Sequence, residues 1–258
     1  MSNEERKIHF VGAGPGDVEL ITVKGRRLLD EADCIVYAGS LINIRLLDKC
    51  GAARHDSAGM NLEEILKVMT AAWKRGEKVV RLHTGDPAYY GAIKEQMQGL
   101  DQEGIPYAVV PGVSAASGAA ASLLAELTLP EVSQTVIITR QGGRTPVPEL
   151  ERMRLLASHQ ATMLVFLSVG MIDTVVEELL AGGYGRETPV AVVEKATWSC
   201  EKILRGTLAD IGLQVKEAGI KKTALICVGK VFADTRLAAV SKLYDKTFSH
   251  GTRQGDIL

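Results

Sequence analysis

The sequence has few of the residues and patterns that mark several common classes of protein. Its four cysteines are scattered along 258 residues, with no CxxC pair and no metal-ligand spacing, which argues against a disulfide framework and a cysteine metal site. No apolar run approaches the roughly 20 residues that a membrane-spanning helix needs. The 30 Lys and Arg residues nearly balance the 31 Asp and Glu residues, so the basic excess of a duplex nucleic-acid binder is absent.

The chain begins with a polar segment, residues 1–7, that leads directly into an apolar run. A polar start that leads straight into a short apolar strand does not match the pattern of a signal peptide. We therefore expect a cytoplasmic protein that does not partner nucleic acid or a membrane, and we predict no metal site.

The sequence does contain an alternation of short β-branched runs with longer helical patterns. Strands are predicted at residues 8–11, 34–37, 79–82, 107–110, 135–139, 163–167, 190–193 and 224–228. Apolar residues at three-and-four spacing predict helices at residues 24–32, 61–75 and 91–102. Such alternation is typical of an α/β fold with mainly parallel sheets and crossover helices.

A division of the chain is indicated near its middle. The turn Pro111-Gly112-Val113-Ser114 is followed by a run of small residues, 115–121, and then by a new strand. We predict two α/β domains, residues 1–113 and residues 114–258. A single continuous sheet would give the same local pattern.

The first motif is Gly12-Ala13-Gly14-Pro15-Gly16-Asp17, directly after the first predicted strand. It departs from the dinucleotide pattern GxGxxG at Asp17, which would place a carboxylate where a pyrophosphate needs a helix N-terminus. Pro15 also fixes φ within the turn. The motif is therefore either a tight turn capped by Asp17 or a ligand loop of another kind.

Two further motifs follow predicted strands. His83-Thr84-Gly85-Asp86-Pro87-Ala88-Tyr89-Tyr90-Gly91 is either a capped turn with buried tyrosines or a ligand loop, because small ligands bind at the carboxyl ends of parallel strands. The third motif is the turn Pro111-Gly112-Val113-Ser114, in which the Ser114 hydroxyl is either a helix cap or a ligand contact.

These three loops, in this order and spacing, resemble the tetrapyrrole methylase family, which binds S-adenosylmethionine. Six further segments carry the resemblance, at residues 37–41, 58–60, 126–128, 143–149, 195–198 and 241–248. The HTGDPAYYG and GRTPVPE forms are most similar to members that act on cobalt-precorrin-4. The resemblance implies a homodimer of two-domain chains, with the cofactor in the cleft between domains. It implies methylation of C11 of cobalt-precorrin-4 in anaerobic cobalamin synthesis, with S-adenosylhomocysteine as product.

The resemblance also assigns residues to the cofactor and to the tetrapyrrole. The implied cofactor-binding residues are Pro15, Gly85, Asp86, Tyr89, Ser114, Ala115, Phe166, Leu167, Ser168 and Ala196. The tetrapyrrole carries several carboxylates, which arginine binds in bidentate fashion. The expected substrate residues are Asp17, Tyr90, Arg140 and Arg144, although a core tyrosine and solvated arginines stay open as interpretations.

The catalytic demand is small, because the sulfonium already activates the methyl group and positioning supplies much of the acceleration. No Ser-His-Asp order, HExxH motif or Cys/His pair is recognisable. His83 is the candidate general base, with a structural or orienting role as the alternative, and Arg144 is a second candidate catalytic residue. Other functions stay open: the same reaction on metal-free precorrin-4, methylation of uroporphyrinogen III, and a nucleotide-binding module without catalysis.

Overall fold

The computed structural model describes residues 6–233, 241, 244 and 246–254. Residues 242, 243 and 245 of the resembling segment 241–248 lie outside the described part. The chain divides into two compact units, Met1–Ala119 with Lys195–Glu201, and Ala120–Glu194 with Lys202–Leu258. The sequence placed a boundary after residue 113 and gave no sign that the later segment, Lys195–Glu201, belongs to the first unit.

The first unit contains a wholly parallel sheet. Its strands are β1 (Ile8–Gly12), β2 (Cys34–Tyr37), β3 (Ala53–Asp56), β4 (Val79–His83) and β5 (Tyr107–Val110). They lie in the order β3-β2-β4-β1-β5. Strands β1, β2 and β4 are largely buried because helices and loops cover both faces of the sheet. Strand β2 is apolar throughout, whereas β1 contains His9 and β4 contains Arg81 and His83.

Four helices accompany this sheet: α1 (Val23–Asp30), α2 (Leu62–Lys74), α3 (Lys94–Gln102) and α4 (Ala115–Ser122). Helix α2 begins with a capping box, in which Asn61 Oδ1 accepts the Glu64 N–H at 3.0 Å and the Glu64 carboxylate accepts the Asn61 N–H at 2.8 Å. Ile65 and Met69 of α2 pack with Leu100 of α3 against one face of the sheet. Helix α1 and the segment that follows β2 cover the other face.

The second unit is built on a mixed sheet. Its strands are β6 (Val136–Arg140), β7 (Thr162–Phe166), β8 (Pro189–Glu194), β9 (Lys202–Thr207) and β10 (Ala224–Val228), in the order β6-β7-β10-β8-β9. Helices α5 (Met153–Ala157), α6 (Ile172–Ala181) and α7 (Ile211–Glu217) bury apolar side chains together with this sheet.

The α/β fold is confirmed, and the first sheet has the predicted parallel arrangement. In the second sheet only β6 and β7 pair in parallel, whereas β10 pairs antiparallel with β7 and β8, and β8 with β9. Strands β6, β7 and β8 still run in one direction. The pairing departs from parallel here because β10 lies between β7 and β8, and because a short connection joins β8 to β9. An alternating pattern gives the direction of successive strands, but it does not say which strands pair.

Two strands, β3 and β9, were not predicted from the sequence. Both lie at a sheet edge. In β3, Ala53, Arg54 and Asp56 are exposed, and such a strand lacks the apolar run by which a buried strand is recognised.

Candidate cofactor and substrate site

Three loops of the first unit meet at the carboxyl edge of the parallel sheet. Residues 13–17 follow β1, residues 84–93 follow β4, and residues 111–114 follow β5; β1 lies between the other two strands. Because parallel strands end at the same edge, the three motifs found in the sequence become neighbours in space. This is the part of an α/β sheet where ligands bind.

Glycines allow these loops to pack main chain against main chain. The Gly85 N–H donates to Gly14 O at 2.8 Å, and the Gly14 N–H donates to Gly85 O at 3.2 Å. A Cβ on Gly112 would lie 2.2 Å from Gly85 O, and one on Gly12 would lie 2.6 Å from Gly112 Cα. Only glycine fits at these two positions.

Gly85 has a second requirement, a φ of +59° in the left-handed region that favours glycine. A Cβ there would also stand 3.7 Å from the backbone nitrogen of Ala115, the first residue of α4. Gly85 therefore lies directly beside the amino end of α4, where the positive end of the helix dipole favours a carboxylate.

Asp86 ties two of the loops together. Its carboxylate accepts the Ala88 N–H at 2.8 Å and the Gly112 N–H at 3.3 Å. Its backbone oxygen accepts the Tyr89 N–H at 3.1 Å. The structure therefore gives the Asp86 side chain a framing role within the candidate site.

Three backbone N–H groups of the glycine-rich loop after β1 already have acceptors elsewhere in the first unit. Ala13 and Gly14 donate their N–H groups to the end of β4 and its loop, and Asp17 donates its N–H to Thr197 Oγ1 at 3.0 Å. The Asp17 carboxylate accepts the Glu19 N–H at 3.0 Å, as the capping interpretation predicted. A phosphate cradle needs free N–H groups, and these three are taken.

Pro15, Ser114 and Ala115 lie where this loop meets α4. Pro15 is buried, and a Cβ on Gly118 of α4 would lie 2.9 Å from the proline ring. The Ser114 hydroxyl is buried and accepts the Ala116 N–H at 3.2 Å. Ser114 thus caps the helix, and the small residues of α4 allow close approach to Pro15.

The two tyrosines of the second motif project from a strained loop. Tyr89 and Tyr90 are 43% and 44% exposed, so they are not the buried tyrosines that one interpretation expected. Tyr90 and Ala92 have φ of +56° and +48°. Gln96 links this loop to β4. Its side-chain amide donates to Ala92 O at 3.0 Å, and its side-chain oxygen accepts from Arg81 Nε at 3.0 Å.

His83 lies inside the first unit. It is 5% exposed and stacks on Phe10 with ring centroids 6.0 Å apart, and its Nε2 has no hydrogen-bond partner among the described residues. Burial, and then the charge of Arg81, lower the pKa of His83 to about 3. Such a group accepts protons weakly, and these properties favour the structural or orienting interpretation over the general base predicted from the sequence.

Ala196 lies far along the chain from the rest of the first unit, yet it belongs to that unit. It is buried, and its neighbours Thr197 and Trp198 bond to Asp17 and Pro15 of the glycine-rich loop. Neither neighbour was predicted as a site residue. No local signal marks them, because their partners lie 180 or more positions earlier in the chain.

In the second unit, Phe166, Leu167 and Ser168 follow the end of β7. Ser168 is fully buried, and its hydroxyl donates to Phe166 O at 2.6 Å and accepts the Gln141 N–H at 2.8 Å. The hydroxyl therefore fixes the ends of β6 and β7. Leu167 differs, because it is 70% exposed and has a φ of +54°.

The two candidate arginines of the second unit have different surroundings. The guanidinium of Arg140 donates to Thr145 O at 2.9 Å and to Pro146 O at 2.7 Å, so it shapes the following loop. Arg144 is exposed in that loop and makes no side-chain hydrogen bond or ion pair within the described part of the chain. Arg144 fits a carboxylate ligand better than Arg140 does.

No three His, Cys, Asp or Glu side chains among the described residues are arranged to hold a metal ion. In the same part of the chain, no helix has the length and apolar character needed to cross a membrane.

Comparison with known proteins gives concordant results. The family model for tetrapyrrole (corrin/porphyrin) methylases matches residues 7–212. The cobalt-precorrin-4 C(11)-methyltransferase of Methanocaldococcus jannaschii is 60% identical over 254 residues, which are 98% of each chain. The precorrin-4 C(11)-methyltransferase of Pseudomonas aeruginosa is 46% identical, covering 96% of this chain and 99% of the relative.

Solved structures agree with these matches. The X-ray structure of a cobalamin biosynthetic enzyme, cobalt precorrin-4 methyltransferase, matches with a TM-score of 0.88 and 46% identity, over 90% of this chain and 98% of the other. The uroporphyrin-III C-methyltransferase of Thermus thermophilus in complex with S-adenosylhomocysteine matches with a TM-score of 0.74 and 29% identity, over 87% and 98% of the two chains.

Proposed function

The chain belongs to the tetrapyrrole (corrin/porphyrin) methylase family, and we propose that it transfers a methyl group from S-adenosylmethionine to C11 of cobalt-precorrin-4. The products are the C11-methylated tetrapyrrole and S-adenosylhomocysteine. The observation that carries the proposal is the convergence of the three motif loops at one edge of the first sheet, held by the Gly14–Gly85 and Asp86–Gly112 hydrogen bonds. The identity to the M. jannaschii relative supports the choice of substrate.

The described residues fit a zwitterionic cofactor with a carboxylate. Gly85 lies beside the amino end of α4, next to the backbone of Ser114 and Ala115. We assign the cofactor to these residues together with Pro15 and Asp86. The remaining assigned contacts are Tyr89, Ala196, Phe166, Leu167 and Ser168, and for Ser168 the buried hydroxyl leaves the backbone as its means of contact.

When bound, S-adenosylmethionine supplies a methyl group that its sulfonium already activates. The chain's own task is to orient the acceptor carbon along the line of transfer, for which near-attack positioning supplies roughly 7–11 kcal/mol. A rigid loop frame serves this task. The Asp86 carboxylate and the glycine contacts provide that frame without a nucleophile or a covalent intermediate.

The tetrapyrrole presents several carboxylates, for which Arg144 is the assigned partner. Arg140 donates to two carbonyls of the Arg144 loop and thereby holds it. Arg140 thus contributes to substrate binding through the loop. Asp17 and Tyr90, both exposed at the first unit's loops, are the further proposed substrate residues.

Two finer features complete the proposal: the chain acts in the cytoplasm, and it assembles as a homodimer. The location repeats the expectation from the sequence, and the homodimer rests on the family resemblance. Size-exclusion chromatography with light scattering tests the second. A mass twice that of the chain is expected, and a mass equal to one chain would contradict it.

The alternative is the same reaction on metal-free precorrin-4, the substrate in the name of the P. aeruginosa relative. Anaerobic incubation with S-adenosylmethionine and either substrate separates the two. Mass spectrometry counts the added methyl groups, and carbon NMR with a labelled methyl locates them. One methyl at C11, added faster to the cobalt form, is expected. Preference for the metal-free form would move the enzyme to the alternative, and a methyl elsewhere or none would refute both.

A further inference from the structure

The segment Lys195–Glu201, here called the clasp, contains a strained turn. Lys195 and Thr197 have φ of +50° and +67°, on either side of the buried Ala196. A β-branched residue such as threonine is a true outlier in this region. Such conformations persist only where surrounding contacts hold them, and they concentrate at functional sites.

Hydrogen bonds within the clasp hold the turn closed. The Trp198 N–H donates to Lys195 O at 3.0 Å, and the Glu201 N–H donates to Trp198 O at 3.0 Å. The Glu201 carboxylate accepts the Thr197 N–H at 2.6 Å. The backbone around Ala196 therefore has little freedom to relax.

The same turn grips the glycine-rich loop after β1. Thr197 Oγ1 accepts the Asp17 N–H at 3.0 Å, and Trp198 Nε1 donates to Pro15 O at 2.9 Å. Between these two bonds, a Cβ on Gly16 would lie 2.1 Å from Cδ1 of Trp198, so the indole occupies the side-chain position of residue 16. From elsewhere in the first unit, Asn43 Nδ2 donates to Gly16 O at 2.8 Å.

We propose that Thr197 and Trp198 are positioning residues of the cofactor site, which fix Pro15 and Ala196 before the cofactor binds. This inference rests on the proposed function, because Pro15 and Ala196 are cofactor contacts only if that proposal is correct. Strain at Thr197 is retained because the turn must serve two purposes together. It presents the backbone of Ala196, and it turns the threonine hydroxyl toward Asp17. Preorganisation of this kind strengthens ligand binding by reducing the ordering that binding requires.

The test compares Thr197→Val with Thr197→Ser. Valine keeps the branched shape and loses the acceptor, whereas serine keeps the hydroxyl. We expect Thr197→Val to raise the Kd for S-adenosylhomocysteine and the KM for S-adenosylmethionine about five- to tenfold, the effect of one lost hydrogen bond. The kcat at saturating cofactor should stay within about twofold. The KM for the tetrapyrrole should rise by less than the KM for S-adenosylmethionine, because Asp17, a proposed substrate residue, keeps its carboxylate and its bond to Glu19. Thr197→Ser should restore the Kd, and the exposed neighbour Ser199→Ala should leave it unchanged.

Thermal melting of the unliganded variants separates positioning from a merely structural role. If Thr197→Val loses its cooperative transition, Trp198→Phe decides the question, because phenylalanine keeps a ring beside Gly16 and loses the donor to Pro15. A wild-type Kd in every folded variant, or a rise in the KM for the tetrapyrrole equal to that for the cofactor, would overturn the inference alone. Failure of the wild-type chain to bind S-adenosylhomocysteine would overturn the proposed function, and the inference with it.

Discussion

The carboxylate of Asp86 accepts the backbone N–H of Gly112 at 3.3 Å and so joins the loop after β4 to the loop after β5. The same carboxylate accepts the Ala88 N–H within its own loop. One side chain therefore sets both the shape of a loop and its distance from a neighbour. Substitution of Asp86 should therefore weaken ligand binding more than it lowers the stability of the fold.

Replacement of Asp86 tests this frame. Asp86→Ala removes both hydrogen bonds, and bonds to a charged acceptor contribute more than neutral ones, so we expect the affinity for S-adenosylhomocysteine to fall about tenfold or more. Asp86→Asn keeps one acceptor oxygen, so its affinity should lie between that of Asp86→Ala and that of the wild type. Calorimetry measures the affinities, with Asp48→Ala at an exposed position as the control. Equal affinity in Asp86→Ala and the wild type would refute the framing role.

Gly85→Arg should abolish cofactor binding. The side chain would be forced to a φ of +59° and would begin 3.7 Å from the backbone nitrogen of Ala115, where the cofactor is assigned. Gly59→Arg is the matched control, because a Cβ at Gly59 meets no atom within 4 Å. Calorimetric titration with S-adenosylhomocysteine provides the measurement, and an affinity for Gly85→Arg like that of the control would show that the assignment is wrong.

Arg144→Ala should weaken binding of the tetrapyrrole and leave the cofactor affinity intact. A lost charge-assisted contact to a carboxylate corresponds to a KM for the tetrapyrrole raised about tenfold. Arg186→Ala removes another exposed arginine and serves as the control. Steady-state kinetics with each substrate varied in turn reveals the pattern. The reverse pattern, with the KM for S-adenosylmethionine raised instead, would contradict the role given to Arg144.

His83 should make the chain less stable as the pH falls. Its pKa in the folded chain is about 3, against an ordinary value of 6.5. Between these values the unfolded chain binds a proton that the folded chain does not, so the free energy of unfolding decreases as the pH falls from about 6.5 toward about 3. Above that range His83 is neutral in both the folded and the unfolded chain, so it no longer makes the free energy of unfolding depend on pH.

His83→Phe keeps a ring beside Phe10 and removes the titration. We expect the free energy of unfolding in urea to depend less on pH between about pH 6.5 and about pH 4 in this variant than in the wild type. Identical slopes in that range would mean that His83 does not govern the acid sensitivity of the chain.

Gln96→Leu should destabilise the first unit. The substitution leaves Arg81 Nε and Ala92 O without their partner, and a buried polar group left unsatisfied costs about 1–3 kcal/mol. Gln98→Leu changes an exposed position of the same helix and should shift the free energy of unfolding by less than about 0.5 kcal/mol. Urea unfolding of both variants measures the difference, and equal effects would contradict the anchoring role of Gln96.

Much of the first unit could be predicted because its signals are local. Strand β2 and the face of α2 that carries Ile65 and Met69 are apolar runs of the right period, and the three loops carry turn residues directly after strands. The edge strands could not be predicted, because an exposed strand with polar residues resembles a loop. The contact of Trp198 with Pro15 was also invisible, since 183 positions separate the two residues.

The sequence also named candidate residues without revealing their roles. His83, Arg140 and Ser168 all stand at strand ends, where ligands bind. In the structure, His83 is buried against Phe10. Arg140 donates to two carbonyls of the loop that follows it, and Ser168 joins the ends of two strands. Position along a strand is readable from periodicity, whereas the partner of a polar side chain depends on segments far away in the chain.

The assignment of the clasp to the first unit has a consequence for synthesis of the chain on the ribosome. Residues 1–119 emerge first, but the first unit also includes Lys195–Glu201. At about 5–20 residues per second, several seconds of translation separate the two parts. Until then the nascent glycine-rich loop lacks its bonds to Thr197 and Trp198. A fragment that ends at Ala119 would never form these bonds. Division of the gene at that point therefore would not give a complete first unit.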